Sequence, residues 1–173
     1  MRKMMVLVFA TLVLTGGTFA QKVTSDYDNT VDFTQYKTYA WVLGSNVAKD
    51  PLWHQRIVGN IERQLEAKGL KRVDSNPDVY VTYNSDLSED VSIQGFGTGR
   101  PWLGGNFSAG KVTRIEGTLV VDIQDAQSKR LIWRGIATET ASDKREKNIS
   151  KLEKTVSKLF KQYPPKAGKG GKP

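Results

Sequence analysis

Arg114-Ile-Glu-Gly-Thr-Leu-Val-Val-Asp-Ile-Gln-Asp-Ala-Gln-Ser-Lys-Arg-Leu-Ile-Trp-Arg-Gly-Ile-Ala-Thr-Glu-Thr140 is the stretch whose reading decides the fold. It divides into two strand patterns around a polar turn. Leu119, Val121 and Ile123 recur at period two on one face, with Thr118, Asp122 and Gln124 on the other. Residues 125–129 (Asp-Ala-Gln-Ser-Lys) are a turn cluster whose Asp and Ser can bond local backbone. From Leu131 to Thr140 the β-branched and aromatic residues resume, Trp133 being the largest. The pattern predicts a hairpin that the rest of the chain covers or extends.

Downstream, a helix should start near Ser142 or Asp143, where Asp143 and Glu146 resemble a capping box. Ile149, Leu152, Val156 and Leu159 give it one narrow apolar stripe, and Pro164-Pro165 stops it. The Lys/Gly tail of residues 166–173 has nothing to bury and is expected to be disordered.

Upstream, residues 95–110 are rich in glycine and read as a long loop carrying Phe96, Arg100, Trp102 and Phe107. Val79, Val81 and Tyr83 mark a strand before it. Asp50-Pro51 opens the clearest helix, an N-cap acceptor followed by a proline at the first helical position. Ile57, Ile61 and Leu65 line one face of it, and Lys68-Gly69 ends it. Two further short strands are expected, around residues 23–28 and 38–42. The order is β-β-α-β, a glycine loop, a β-hairpin, then α. That implies an α+β fold: a two-layer sandwich with a mostly antiparallel sheet of about five strands and two helices on one face. The other sheet face and the glycine loop would be left for a partner.

Composition sets the setting. Arg2 and Lys3 precede an apolar run, and Thr18-Phe-Ala20 offers small residues before a cut, so residues 1–20 read as a signal peptide. Cleavage near Ala20 would leave residues 21–165 as one domain plus the tail, periplasmic or secreted. It would take the formal charge from +8 to +6, with 24 basic and 18 acidic side chains. No later stretch is long and apolar enough for a membrane span. The absence of cysteine excludes disulfides, thiol catalysis, cysteine metal sites and attachment through a lipidated cysteine.

Several segments resemble the bacterial domain-of-unknown-function family 4136, exported and often lipid-anchored envelope proteins. They are Asp26-Tyr-Asp28 with Asp32-Phe33, Tyr36-Lys-Thr-Tyr-Ala-Trp41, Ile61-Glu62 with Leu65 and Lys68-Gly69, and Pro77-Asp-Val79 with Tyr83. The strongest is Glu116-Gly-Thr-Leu-Val-Val-Asp-Ile123 followed by Leu131-Ile-Trp-Arg-Gly135. The resemblance implies a compact envelope domain and supplies no catalytic residues. This chain departs from many relatives in lacking the lipidated cysteine, which favours a form without a covalent anchor.

Motifs with a chemical reading are few. Residues 105–111 fall one residue short of a phosphate loop, but position 112 is Val and a strand pattern follows where a helix should begin. Asp26, Asp28 and Thr30 imitate the start of a calcium loop whose sixth position is Val31 and twelfth Lys37. Turn formation is the simpler account of them. His54, the single histidine, reads as a solvated residue at a helix start, with no partner set for zinc. No catalytic residue, metal ligand or cofactor is assigned. Two candidate surfaces remain: the aromatic glycine loop (Phe96, Arg100, Trp102, Phe107), and a basic helix face of Lys151, Lys154, Lys158 and Lys161. These suggest a non-enzymatic binding or scaffolding domain that meets an anionic membrane surface, peptidoglycan or an envelope protein, and not nucleic acid. The alternative is a hydrolase of wall or sugar substrates using Asp26 or Asp28 with Glu116.

Overall fold

The predicted hairpin lies inside a six-stranded mixed sheet. The computed structural model describes residues 22–98 and 106–165, and within 90–98 and 106–112 the backbone alone. The strands are β1 (Lys22–Tyr27), β2 (Thr38–Trp41), β3 (Lys71–Arg72), β4 (Val79–Thr98), β5 (Asn106–Asp125) and β6 (Leu131–Thr140). The helices are α1 (Pro51–Ala67) and α2 (Arg145–Phe160). The sheet order is β1-β6-β5-β4-β2-β3. Neighbours from β1 to β4 run antiparallel, whereas β2 is parallel to both β4 and β3. This corrects the expected count of about five strands. The sixth, Lys71-Arg72, is too short and too polar to carry a period-two signal. The parallel pairing arises because α1 crosses over between β2 and β3 and returns the chain in the same direction.

Register places the buried residues of β2, β4 and β5 on one face. Val81 pairs with Ile123 and Tyr83 with Val121, while Leu119 pairs with Ala137 and Ile123 with Trp133. These residues form one core with Ile57, Ile61 and Leu65 of α1 and Leu152, Val156, Leu159 and Phe160 of α2. Trp133 is fully buried, with its ring 5.6 Å from that of Phe160 and 5.3 Å from that of Tyr163. Gly135 follows it on the same face. A Cβ there would collide with the Trp133 ring and lie 2.7 Å from Leu159 Cδ1. The glycine is what lets a tryptophan lie flat between sheet and α2.

Local chemistry explains the ends of α1. The Asp50 carboxylate accepts from the N–H groups of Leu52 (2.8 Å) and Trp53 (3.1 Å), and Pro51 follows. Gly69, at φ 88°, turns the chain out after Lys68. The start of α2 differs from expectation. Its N-cap is Lys144 with no side-chain cap bond, so Asp143 and Glu146 do not form a capping box. Asn148 holds this end instead. Its Oδ1 accepts from Ser142 N–H and its Nδ2 donates to Ser142 C=O, both at 2.7 Å.

The largest departure lies at the two ends of the expected glycine loop. Residues 95–98 and 106–110 are strand: β4 continues to Thr98 and β5 begins at Asn106, paired residue for residue, while the part of the loop between them lies outside the described residues. Glycine lowers strand propensity without forbidding extended backbone, and the cross-strand ladder overrides it here. β4 and β5 therefore outrun their neighbours. β2 pairs with β4 only up to Val81, and β6 pairs with β5 only from Glu116 onward.

Candidate functional site

Where β4 and β5 leave the shelter of the helices, the core face of the sheet opens into a cleft. It has a volume of about 830 Å³. Its floor is Leu119, Gly117 and Ile115 of β5 with Leu87 of β4; Trp53 and Ile57 of α1 form one wall and Leu152 of α2 the other. Leu87 is 74% exposed and Ile115 46%, so apolar surface stands in water at its mouth. The volume falls in the range of about 300–1,000 Å³ usual for small-ligand sites, which are mostly apolar with a few placed polar groups.

The walls are tied down by polar contacts. Ser85 N–H donates to Asn46 C=O (2.7 Å) and Asn84 Oδ1 accepts from Asn46 N–H (2.9 Å), which fastens the β2–α1 connection along β4. Gly44 permits this close approach, because a Cβ there would overlap the Tyr83 carbonyl. On the other side the Lys151 ammonium donates to Thr140 C=O (2.6 Å) and pairs with Glu139 at 3.2 Å. Lys151 is therefore a paired cation at the cleft rim. Lys154, Lys158 and Lys161 are exposed and form no ion pair among the described residues.

His54 is not a solvated residue. Its Nδ1 lies 2.5 Å from the hydroxyl of Tyr83, and the two rings are 5.6 Å apart. Tyr83 is buried, which pushes its hydroxyl pKa up, and its oxygen also accepts from Ala48 N–H at 3.2 Å. The pair locks the first turn of α1 to β4. The signal for it was available, since His54 and Tyr83 are both apolar-faced polar groups, but their pairing depends on tertiary structure.

The carboxylates do not assemble. Asp28 accepts from the Thr30 hydroxyl and N–H, and these bonds, with Arg130 beside it, hold its pKa below the ordinary value. Asp32 is held low by Thr34 in the same way. Both are turn residues. Asp26 stands in register with Arg134, which is paired with Asp122, and Glu116 lies six residues further along β5. At about 3.3 Å per residue this separates Asp26 from Glu116 by roughly 20 Å, well beyond the spacing of about 5–9.5 Å that glycosidase pairs need. Among the described residues no group of three or more His, Asp or Glu could hold a metal ion.

Of the loop candidates, Arg100 and Trp102 lie outside the described residues. Phe96 and Phe107 occupy positions on β4 and β5, and their side chains are likewise outside the description. The leader, residues 1–20, and the tail, residues 166–173, also fall outside it. No helix among the described residues is long and apolar enough to cross a membrane.

Fold and cleft together define an α+β domain built around a mixed six-stranded sheet with an open, apolar-floored site. The chain belongs to the family described as domain of unknown function DUF4136, whose model matches residues 23–165. No curated protein matches it. Among solved structures it is similar to a PDZ domain protein from Parabacteroides distasonis, with 16% identity and a TM-score of 0.58. That match covers 83% of this chain and 35% of the other, so the chain spans about a third of that protein. It is also similar to the PelC dodecamer from Paraburkholderia phytofirmans, with 12% identity and a TM-score of 0.51 over 82% of this chain and 95% of that one. At these identities the likeness is one of fold.

Proposed function

We propose that this chain is a non-catalytic binding domain of the bacterial cell envelope, exported through the leader in residues 1–20. Its ligand is an amphiphile that lays an alkyl chain in the cleft between α1, α2 and the β4–β5 floor. The observation that carries this reading is the exposed apolar floor, Leu87 and Ile115, continuous with buried Leu119 beneath two pinned helix ends. Exposed apolar surface in a preformed concavity is what an alkyl chain gains most from covering. The Lys151–Glu139 pair leaves the rim close to neutral locally, so the head group would be held by hydrogen bonds more than by net charge. Exposed Lys154, Lys158 and Lys161 would add attraction to an anionic surface, of about 1 kcal/mol per well-placed cation.

Titration with single-chain amphiphiles of increasing length, over a salt series, tests this. Each added methylene should tighten Kd about fourfold, corresponding to about 0.8 kcal/mol per buried CH₂, until the cleft is full. Leu87→Asp and Trp53→Ala should each weaken binding about tenfold or more while leaving the melting temperature nearly unchanged for the exposed Leu87. Salt should reduce attraction to anionic vesicles and leave the alkyl-length dependence intact. Affinity independent of chain length would overturn the reading.

A further inference from the structure

The walls of the cleft carry charge of both signs in equal number. Lys49, Arg145 and Lys151 line it together with Asp50, Glu139 and Asp143, three bases against three acids. Asp86 also borders it, but strand alternation sends its side chain to the other sheet face, opposite to Leu87 on the cleft floor.

Three of the six side chains already have work within the chain. Lys151 is paired with Glu139 at 3.2 Å, and one oxygen of Asp50 caps α1. Lys49, Asp143 and Arg145 are exposed and form no ion pair among the described residues. They come from opposite walls. Asn46 is fixed against Ser85 and Asn84 of β4, and Lys49 follows it three residues on, just before α1. Asp143 and Arg145 flank Lys144, the N-cap of α2. One wall thus offers a cation, and the other a cation with an anion.

A head group seated between these walls displaces water from all three charges, and each charge that finds no partner costs free energy. A nonionic head leaves three of them without a counter-charge. A purely anionic head meets the two cations but also faces Asp143. A head that joins a phosphodiester to a primary ammonium matches the set. Its two free phosphate oxygens can take one cation from each wall, the Arg145 guanidinium being the geometric match for such an anion, and its ammonium has donors for a carboxylate.

On the reading of the cleft as an alkyl-chain site, we infer that the amphiphile it binds has a zwitterionic phospholipid head. The phosphate lies between Lys49 and Arg145, and the ammonium lies at Asp143.

Isothermal titration of the full chain with three single-chain lipids of one alkyl length, each below its micelle concentration, tests this. The heads are phosphoethanolamine (zwitterionic), phosphoglycerol (anionic) and maltoside (nonionic). The phosphoethanolamine lipid should bind about tenfold tighter than the maltoside and about threefold tighter than the phosphoglycerol lipid. Lys49→Gln and Arg145→Gln should each reduce its advantage over the maltoside about threefold. Asp143→Asn removes the repulsion against an anionic head and should erase the advantage over phosphoglycerol. All three side chains are exposed, so the circular-dichroism melt of each variant should match that of the native chain. Equal affinity for phosphoethanolamine and maltoside, or tightest binding of phosphoglycerol, would overturn the head-group assignment. Affinity ratios unmoved by the three substitutions would do the same. In those outcomes the dependence on alkyl length persists and the alkyl-chain site stands; loss of that dependence overturns the site and the head-group assignment with it.

Discussion

Trp133→Ala should lower the unfolding free energy by about 3–5 kcal/mol, enough to leave a domain of this size marginal. Trp133 is fully buried where β6, α2 and the chain after α2 meet, and its ring contacts both Phe160 and Tyr163. Those neighbours belong to different elements and cannot collapse together into the space it would vacate, so the cavity persists. The loss should appear as a lower urea midpoint with the slope unchanged. Gly135 provides an internal check. Gly135→Ala in the native background forces a Cβ against the Trp133 ring, whereas in the Trp133→Ala background that collision is gone and only the one with Leu159 remains. The two substitutions should therefore couple in a double-mutant cycle, and additive losses would contradict the packing described.

Asp78→Ala should cost about 2–4 kcal/mol, from the loss of several charge-assisted hydrogen bonds at one point. The Asp78 carboxylate accepts from Lys37 N–H and Thr38 N–H at 2.8 Å and from the Thr38 hydroxyl at 2.9 Å. Thr38 Oγ1 in turn accepts from Asp78 N–H at 3.0 Å. This knot sets the parallel register of β2 on β4, in which Tyr39 lies beside Val79. The bond from Lys37 N–H, then the Thr38 hydroxyl, holds the Asp78 pKa below its ordinary 3.8. A carboxylate depressed in the folded state contributes stability that is present above the unfolded value and lost as pH falls through the folded one. Asp125, held low by Ser128 N–H and hydroxyl, acts in the same direction. The native chain should thus lose stability as pH drops below about 4, and Asp78→Ala should show a shallower acid limb. Parallel pH profiles for the two proteins would contradict this role.

How much of this could be read from sequence follows from which signals are local. The hairpin, α1 with its Asp50 cap and Gly69 exit, and the stripe on α2 are written in period and capping chemistry within a few residues. The parallel seating of β2 is not, because it rests on Asp78 reaching Thr38 across 40 positions. β3 has two residues, below the length at which alternation exists. Gly95, Gly97 and Gly110 misled because propensity there is weaker than a ladder whose partner lies outside the window being read. Lys151 looked like its neighbours Lys154 and Lys158, and only the fold brings Thr140 C=O within its reach. The cleft itself has no sequence motif, since its lining comes from α1, α2, β4, β5 and β6 and from the connections between them.

The central claim is that the surface between Trp53, Leu87, Ile115 and Leu152 is a ligand site. Chemical-shift mapping of the isotope-labelled chain during titration with a single-chain amphiphile tests it most directly. The account predicts saturable shifts concentrated at these four residues and at Leu119, with the Ile136 side of the sheet unmoved. Shifts centred on that opposite face, or none at any concentration below micelle formation, would contradict it.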